Sequence, residues 1–249
     1  MSLGLVGGTG LTTLAGLEVL ASHAVDTPYG QPSMAIEEGV FNGHKVFFLH
    51  RHGGSGRPIP PHLVNYRANL WALKELGVER ILAANAVGAI TLSMTPGTLI
   101  LPHQLIDYTW GREHSFDDGA SGSLQHVDFT HPYDDTLRGE LMGAAEAADV
   151  ACIDGAVLGV VQGPRLETAA EVARFSQDGC DLLGMTGMPE AALARELDIP
   201  YAAVCMVVNA AAGLSDTPIS MDGIRSNLVS ETALFTDLLA AFLAKRSAG

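Results

Sequence analysis

Short apolar runs alternate with amphipathic stretches along most of this 249-residue chain. Residues 3–6 are apolar and run straight into Gly7-Gly8-Thr9-Gly10, a strand ending in a tight turn. Residues 34–41 and 45–49 are strand-like and flank Asn42-Gly43, a pair that tolerates positive φ and so marks a hairpin. Residues 62–76 carry Leu63, Tyr66, Leu70, Leu73 and Leu76 at helical spacing. An amphipathic helix capped by Gly77 is expected there, with this stripe in the core. Residues 80–84 form an apolar strand, expected to end at Asn85-Ala86-Val87-Gly88. Residues 98–101, 104–108 and 155–161 read as strands, and 136–148, 167–176 and 220–245 as helices. Residues 110–133 hold few aliphatics and read as one long loop, which in a compact chain is usually functional or interfacial.

The stretch 180–213 is the most informative. It predicts a strand over 181–183, a turn over 184–187 and a helix from Pro189 to about 198. A continuous apolar strand over 201–208 follows, which implies burial on both faces. Pro189 suits a first helical turn, and Glu190 favours the positive end of the helix dipole. Polar groups therefore stand at two strand ends, Met185-Thr186 and Asn209. Open α/β sheets bind ligands beyond the carboxyl ends of their strands, so these ends are the first candidates for a site. The whole pattern predicts an α/β fold. Residues 1–249 form a single domain with a central mixed, largely parallel β-sheet flanked by helices.

Composition narrows the function. The chain is 47% hydrophobic with 28 glycines, which suits a buried sheet joined by tight turns; only 17% is charged, which leaves room for a subunit interface. A net charge of −14 argues against binding nucleic acid or an anionic membrane. Any phosphate must be met by local arginines and backbone amides. Cys152, Cys180 and Cys205 have no metal-ligand spacing and read as core residues. No metal and no cofactor are expected. There is no signal-peptide pattern and no long apolar run, so a cytoplasmic protein is expected.

Anion chemistry is suggested in two places. Gly7-Gly8-Thr9-Gly10 can bring backbone N–H groups and a hydroxyl close to an anion; a plain tight turn is the competing reading. It is no P-loop, since no lysine follows. His50-Arg51-His52-Gly53-Gly54 ends a strand, and an arginine fork with a neighbouring histidine can grip a phosphate. A solvated loop, or the nucleophilic histidine of a phosphohydrolase, would also fit that motif. The Gly- and Pro-rich loop 55–61 is a candidate lid.

Several of these stretches together resemble the nucleoside phosphorylase family, in the trimeric branch that holds methylthioadenosine phosphorylases and purine nucleoside phosphorylases. They are Gly7-Gly8-Thr9-Gly10, Arg51-His52-Gly53, Val64-Asn65-Tyr66-Arg67-Ala68-Asn69, Asn85-Ala86-Val87-Gly88, Gly163-Pro164-Arg165, Met185-Thr186 through Pro189-Glu190, and the Asn209 strand end. They span nearly the whole chain in the family's order. The resemblance implies a phosphate site of Thr9, Arg51, His52, Asn85, Ala86 and Thr186. It implies that Met185 packs on the ribose, that Asn209, Ala210 and Ala211 meet the purine edge with Leu166 nearby, and that Asn209 is the catalytic group. It implies a homotrimer in which His126 reaches a neighbouring site.

Two departures bear on the substrate. Methylthioadenosine phosphorylases carry aspartates at the positions of Asn209 and Ala211, whereas enzymes for 6-oxopurines have asparagine at the first. Met221 falls at the 5′ end of the ribose, where 6-oxopurine phosphorylases place a histidine. An oxo-type base end and an apolar 5′ end together describe 5′-methylthioinosine; inosine or guanosine and methylthioadenosine are the alternatives. A further family histidine is replaced near Gly56-Arg57. The co-substrate would be inorganic phosphate.

Overall fold

The computed structural model describes residues 2–54, 56–119, 124 and 126–245. Among these described residues, eleven strands form one mixed sheet. They are β1 (Leu3–Gly7), β2 (Leu17–His23), β3 (Ile36–Phe41), β4 (His44–His50), β5 (Arg80–Ala89), β6 (Leu99–Leu101), β7 (Gln104–Asp107), β8 (Cys152–Asp154), β9 (Val157–Val160), β10 (Leu182–Gly184) and β11 (Tyr201–Ala210). Five α-helices among the described residues cover it: α1 (Tyr66–Glu75), α2 (Asp135–Ala147), α3 (Ala169–Gln177), α4 (Glu190–Glu196) and α5 (Met221–Lys245). The main path runs β2-β3-β4-β1-β5-β10-β9-β7, while β11 pairs with β5 and β6, and β6 with β8. Pairings β1–β4, β1–β5, β5–β11, β9–β10, β7–β9 and β6–β8 are parallel; the others are antiparallel. This is the mixed, largely parallel sheet that the sequence predicts.

The hairpin forms as expected. Phe41 pairs with His44 across Asn42 (φ 48°) and Gly43 (φ 80°), two positive φ values in succession that match the strand twist. Residues 201–208 of β11 are buried throughout, because α4 and α1 cover one face and α2 and α5 the other. Leu70, Leu73, Ala191 and Leu193 pack on the first side. Leu137, Leu141, Phe235 and Leu239 pack on the second.

Several expectations need correction. The strand at residue 80 does not end at Asn85 but continues to Ala89. It can do so because β1 flanks its first half while β10 pairs with Gly88 and Ala89. The helix expected from residue 62 is a 3-10 turn over Pro61–Leu63, and α1 starts only at Tyr66 with Asn65 as its N-cap. Leu63 is accordingly 65% exposed rather than part of the core stripe. Pro189 is the N-cap of α4 rather than its first residue. The edge strand β2, exposed over most of its length, and the short β8 escaped the pattern altogether. Met221–Lys245 is long and apolar enough by length and composition to cross a membrane. In this fold one face of it, from Leu228 to Leu243, packs on the sheet and α2.

Candidate active site

The site begins where β1 and β4 end side by side, Gly7 opposite His50. Gly8, Thr9 and Gly10 reverse the chain, with the Leu11 N–H donating to Gly8 O at 3.1 Å. Arg51 follows β4 and is fully buried. Its guanidinium runs beneath the turn: a Cβ on Gly8 would lie 2.6 Å from Nη1 and 2.9 Å from Ala84 O. Glycine at position 8 is therefore a matter of space.

The Arg51 fork was expected to grip an anion. Instead it grips Glu190. Nε donates to Oε1 at 2.5 Å and Nη2 to Oε2 at 2.9 Å. Nη1 donates to Ala84 O and Nη2 also to Asn85 Oδ1, both at 3.0 Å. Tyr201 adds its hydroxyl to Glu190 Oε2 at 2.9 Å. Four of the five guanidinium N–H groups are thus engaged within the protein. Burial alone would push the Arg51 guanidinium down, but the Glu190 charge and its hydrogen bonds outweigh burial and hold it above the usual arginine value. Glu190, read from sequence as a helix-dipole residue, is the buried counter-charge of this network, 1% exposed.

Asn85 joins the network to the next strand end. Its Oδ1 accepts from Arg51 Nη2 and from Thr186 Oγ1 at 3.1 Å. Its Nδ2 is buried and has no partner among the described residues. A buried amide donor left unmade is costly, of order 1–3 kcal/mol, and an oxyanion beside Thr186 would satisfy it. His52 is half-buried. Its Nδ1 lies 2.8 Å from Ile59 O, and because a carbonyl only accepts, Nδ1 carries the proton and Nε2 is left as an acceptor in the neutral ring. Burial, then the Arg51 charge, pushes the His52 pKa down. Thr9 is exposed at the tip of its turn, and Ala86 is half-buried beside Met206 on β11.

The other end of the site lies along β5 and β11. Asn209 pairs in register with Gly88, past an irregularity at Val207. Gly88 is three residues beyond Asn85, and at about 3.3 Å per residue the two positions are roughly 10 Å apart. Asn209 Nδ2 donates to Ala210 O at 2.7 Å, which leaves Oδ1 as the free end of the carboxamide. Ala211 is buried with Val161, Phe175 and Leu183, with the partly buried Met185 packed against the cluster. Met185 also abuts the turn after β9, where a Cβ on Gly163 would come within 2.5 Å of its Sδ.

That turn opens into a cavity of about 210 Å³ lined by Tyr108, Gln162, Arg165 and Glu167, among others. Burial raises the Glu167 carboxyl above its usual pKa. Leu166 is 43% exposed. Met221 is 57% exposed at the start of α5, the helix whose Leu228 packs on Gly10 and whose Asn227 Nδ2 donates to Val208 O at 2.8 Å. His126 is exposed in the loop between β7 and α2; Ser55 of the candidate lid lies outside the described residues. Among the described residues no cluster of three or more His, Cys, Asp or Glu side chains could hold a metal ion.

Three residues escaped sequence reading: Glu190 as a partner of Arg51, Glu167, and Arg112, which stands behind the Met185–Met188 turn with its guanidinium on main-chain carbonyls. Glu167 had a signal, a carboxylate just past a Gly-Pro strand end. Arg112 had none, because most of its partners are backbone atoms.

The phosphorylase superfamily model matches residues 2–244. A protein of Xanthomonas campestris described as a "probable S-methyl-5'-thioinosine phosphorylase" is 50% identical over 240 residues, 96% of this chain and 96% of its own. One of Dictyoglomus turgidum, described as a "probable 6-oxopurine nucleoside phosphorylase", is 40% identical over 245 residues, 98% of this chain and 92% of its own. Among solved structures, the methylthioadenosine phosphorylase of Schistosoma mansoni in complex with adenine superimposes with a TM-score of 0.92. It is 30% identical, over 100% of this chain and 92% of that one.

Proposed function

The chain belongs to the phosphorylase superfamily, and from that premise we propose that it cleaves a 6-oxopurine nucleoside with inorganic phosphate. S-methyl-5′-thioinosine is the preferred substrate, giving hypoxanthine and 5-methylthioribose 1-phosphate. The observation that carries the reading is the spacing of two polar groups along β5. The buried Asn85, joined to Thr186, stands at one position, and Asn209 of the neighbouring β11 stands opposite Gly88, roughly 10 Å further along. That is the span from an anion below C1′ to the edge of a purine.

Phosphate sits among the Gly8-Thr9-Gly10 amides, Thr186, the Asn85 Nδ2, the Ala86 backbone and His52. Arg51 backs this group as a buried charge rather than as a fork. The His52 Nε2 lone pair accepts the O–H of a hydrogen phosphate dianion. A phosphate oxygen attacks C1′ and the C1′–N9 bond breaks; its electron pair passes to the base, which takes a proton at N7 from solvent, while hydrogen phosphate gives up its proton to solvent as it becomes the 1-phosphate ester. Asn209 Oδ1, the free end of the carboxamide, accepts from that N7–H. Met185 packs on the ribose between the two ends. Catalysis is positioning plus stabilisation of developing charge.

The base preference follows from Glu167 and Ala211. A 6-oxopurine carries a hydrogen on N1, which the Glu167 carboxylate accepts; adenine has a lone pair there. Ala211 gives the adenine amino group no acceptor. An unpaired polar group in a buried site costs about 1–3 kcal/mol, so adenine is disfavoured. At the 5′ end Met221 suits a thioether better than a hydroxyl. The names of the Xanthomonas and Dictyoglomus relatives agree with this class of substrate. The Schistosoma neighbour's name points to the adenine series, and its lower identity gives it less weight. The protein works as a homotrimer in which His126 reaches a neighbouring subunit's site.

The reading is tested by incubating the protein with methylthioinosine and varying orthophosphate. Hypoxanthine release that needs phosphate and consumes one per turnover supports it. Release at an undiminished rate without phosphate would make the protein a hydrolase.

A further inference from the structure

We propose that Arg112 is a positioning residue of this reaction: by holding the carbonyl on one edge of the Met185–Thr186 peptide, it aims the Thr186 N–H on the opposite edge at the anion. The proposal rests on the phosphorolysis reading. Arg112 is 8% exposed and comes from the loop after β7. Nη1 donates to Met188 O at 2.6 Å and to Tyr66 OH at 3.3 Å. Nη2 donates to Met185 O and Gln162 O, both at 3.0 Å, and to Val161 O at 3.3 Å. Nε donates to Gln162 Oε1 at 3.3 Å. None of these acceptors is a carboxylate, and burial holds the guanidinium below the usual arginine value.

The arrangement has a directional consequence. A trans peptide is planar, and its C=O and N–H point to opposite sides. With Met185 O fixed on Nη2, the Thr186 N–H points away from Arg112. Thr186 Oγ1 is fixed independently, on Asn85 Oδ1. Nη1 holds Met188 O at the other end of the same turn, so one flat group sets both ends of the Met185–Met188 segment. Through Val161 and Gln162 it also ties that segment to the end of β9. A lysine ammonium carries three donors on one atom and cannot span these acceptors as a planar fork does.

The test is steady-state kinetics with methylthioinosine and phosphate on the unaltered enzyme, Arg112→Lys and Arg112→Met, well below each melting temperature. Arg112→Met is expected to lose about 10²-fold in kcat/KM, the scale of a misplacement of roughly 1 Å, with the phosphate KM raised more than the nucleoside KM. Arg112→Lys, which keeps the charge and is the variant expected to fold, should lose about ten-fold with the same split between the two KM values. A purely structural arginine would lower the melting temperature and leave both KM values where they are in the unaltered enzyme. Full activity in Arg112→Lys, or a nucleoside KM that rises as much as the phosphate KM, overturns the proposal while the phosphorolysis reading stands. If Arg112→Met does not fold, Arg112→Lys decides on the same terms. No turnover by the unaltered enzyme overturns the functional reading and this proposal with it.

Discussion

Replacing Glu190 by Gln should expose how much the fold depends on one buried charge pair. Three donors converge on this carboxylate: Arg51 Nε at 2.5 Å, Arg51 Nη2 at 2.9 Å and the Tyr201 hydroxyl at 2.9 Å. Both charged side chains are buried, 0% and 1% exposed. Glutamine keeps one acceptor oxygen and turns an NH₂ group against the remaining donors. It also leaves the Arg51 charge without its partner. Breaking a buried pair in this way costs about 3–5 kcal/mol. For a domain of this size each kcal/mol moves the melting temperature by about 2–4 °C, so a drop of roughly 6–20 °C is expected in phosphate-free buffer. A second signature follows from the proposed anion site. In the unaltered protein the pair is neutral; in Glu190→Gln a net positive charge lies under Gly8. Phosphate should therefore raise the melting temperature of the variant by more than it raises that of the parent, where saturation to 100 times Kd gives about 2.7 kcal/mol. Thermal unfolding followed by circular dichroism over a phosphate series measures both. A variant that melts within 2 °C of the parent, roughly the shift of a single kcal/mol, would refute the reasoning about the pair. Equal phosphate increments would refute the placement of the anion over Arg51.

Three further outcomes are expected. Asn209→Ala should lose about 10²–10³-fold in kcat with methylthioinosine, the usual loss on removing one preorganised hydrogen-bonding group; a full-rate variant in a steady-state assay removes Asn209 from the mechanism. Glu167→Gln should lower kcat/KM for 6-oxopurine nucleosides by about ten- to a hundred-fold, the equivalent of about 1–3 kcal/mol, and change the adenine nucleoside little; equal losses on both would contradict a contact with N1–H. Glu231, fully buried on α5, accepts from the Gly97 N–H through Oε1 and has no partner for Oε2 among the described residues. Burial raises its pKa above 4.5, so its contribution to stability is full below that value and is lost as the pH rises through the folded pKa. Glu231→Gln should therefore match the parent in acid and melt higher at neutral pH. A melting difference independent of pH would contradict this.

Local chemistry made much of the fold legible. Asn42-Gly43 announced its hairpin because both residues tolerate positive φ, and the unbroken apolar run of β11 announced a strand buried on both faces. Failures arose where tertiary contacts overrode local signals. Leu63 sat at a helical spacing but follows Pro60 and Pro61, and it faces outward in a 3-10 turn. β5 looked finished at Asn85 because its continuation is supported by β10, nearly a hundred residues later in the chain. At the site, the convergence of Gly8, Arg51, Asn85 and Thr186 could be anticipated from strand ends. What each polar atom does there could not. Glu190 is 139 residues from Arg51, and no pattern tells a counter-ion from a helix-dipole residue. Arg112 binds mainly main-chain carbonyls, which every residue carries, so most of its partners leave no mark in the sequence.

The central claim is that this pocket takes an oxygen-bearing purine with an apolar 5′ group. The most direct measurement is kcat/KM for 5′-methylthioinosine, inosine and 5′-methylthioadenosine, side by side under saturating phosphate. Methylthioinosine is expected first, inosine behind it for want of a thioether at Met221, and methylthioadenosine last. Methylthioadenosine in first place would contradict it.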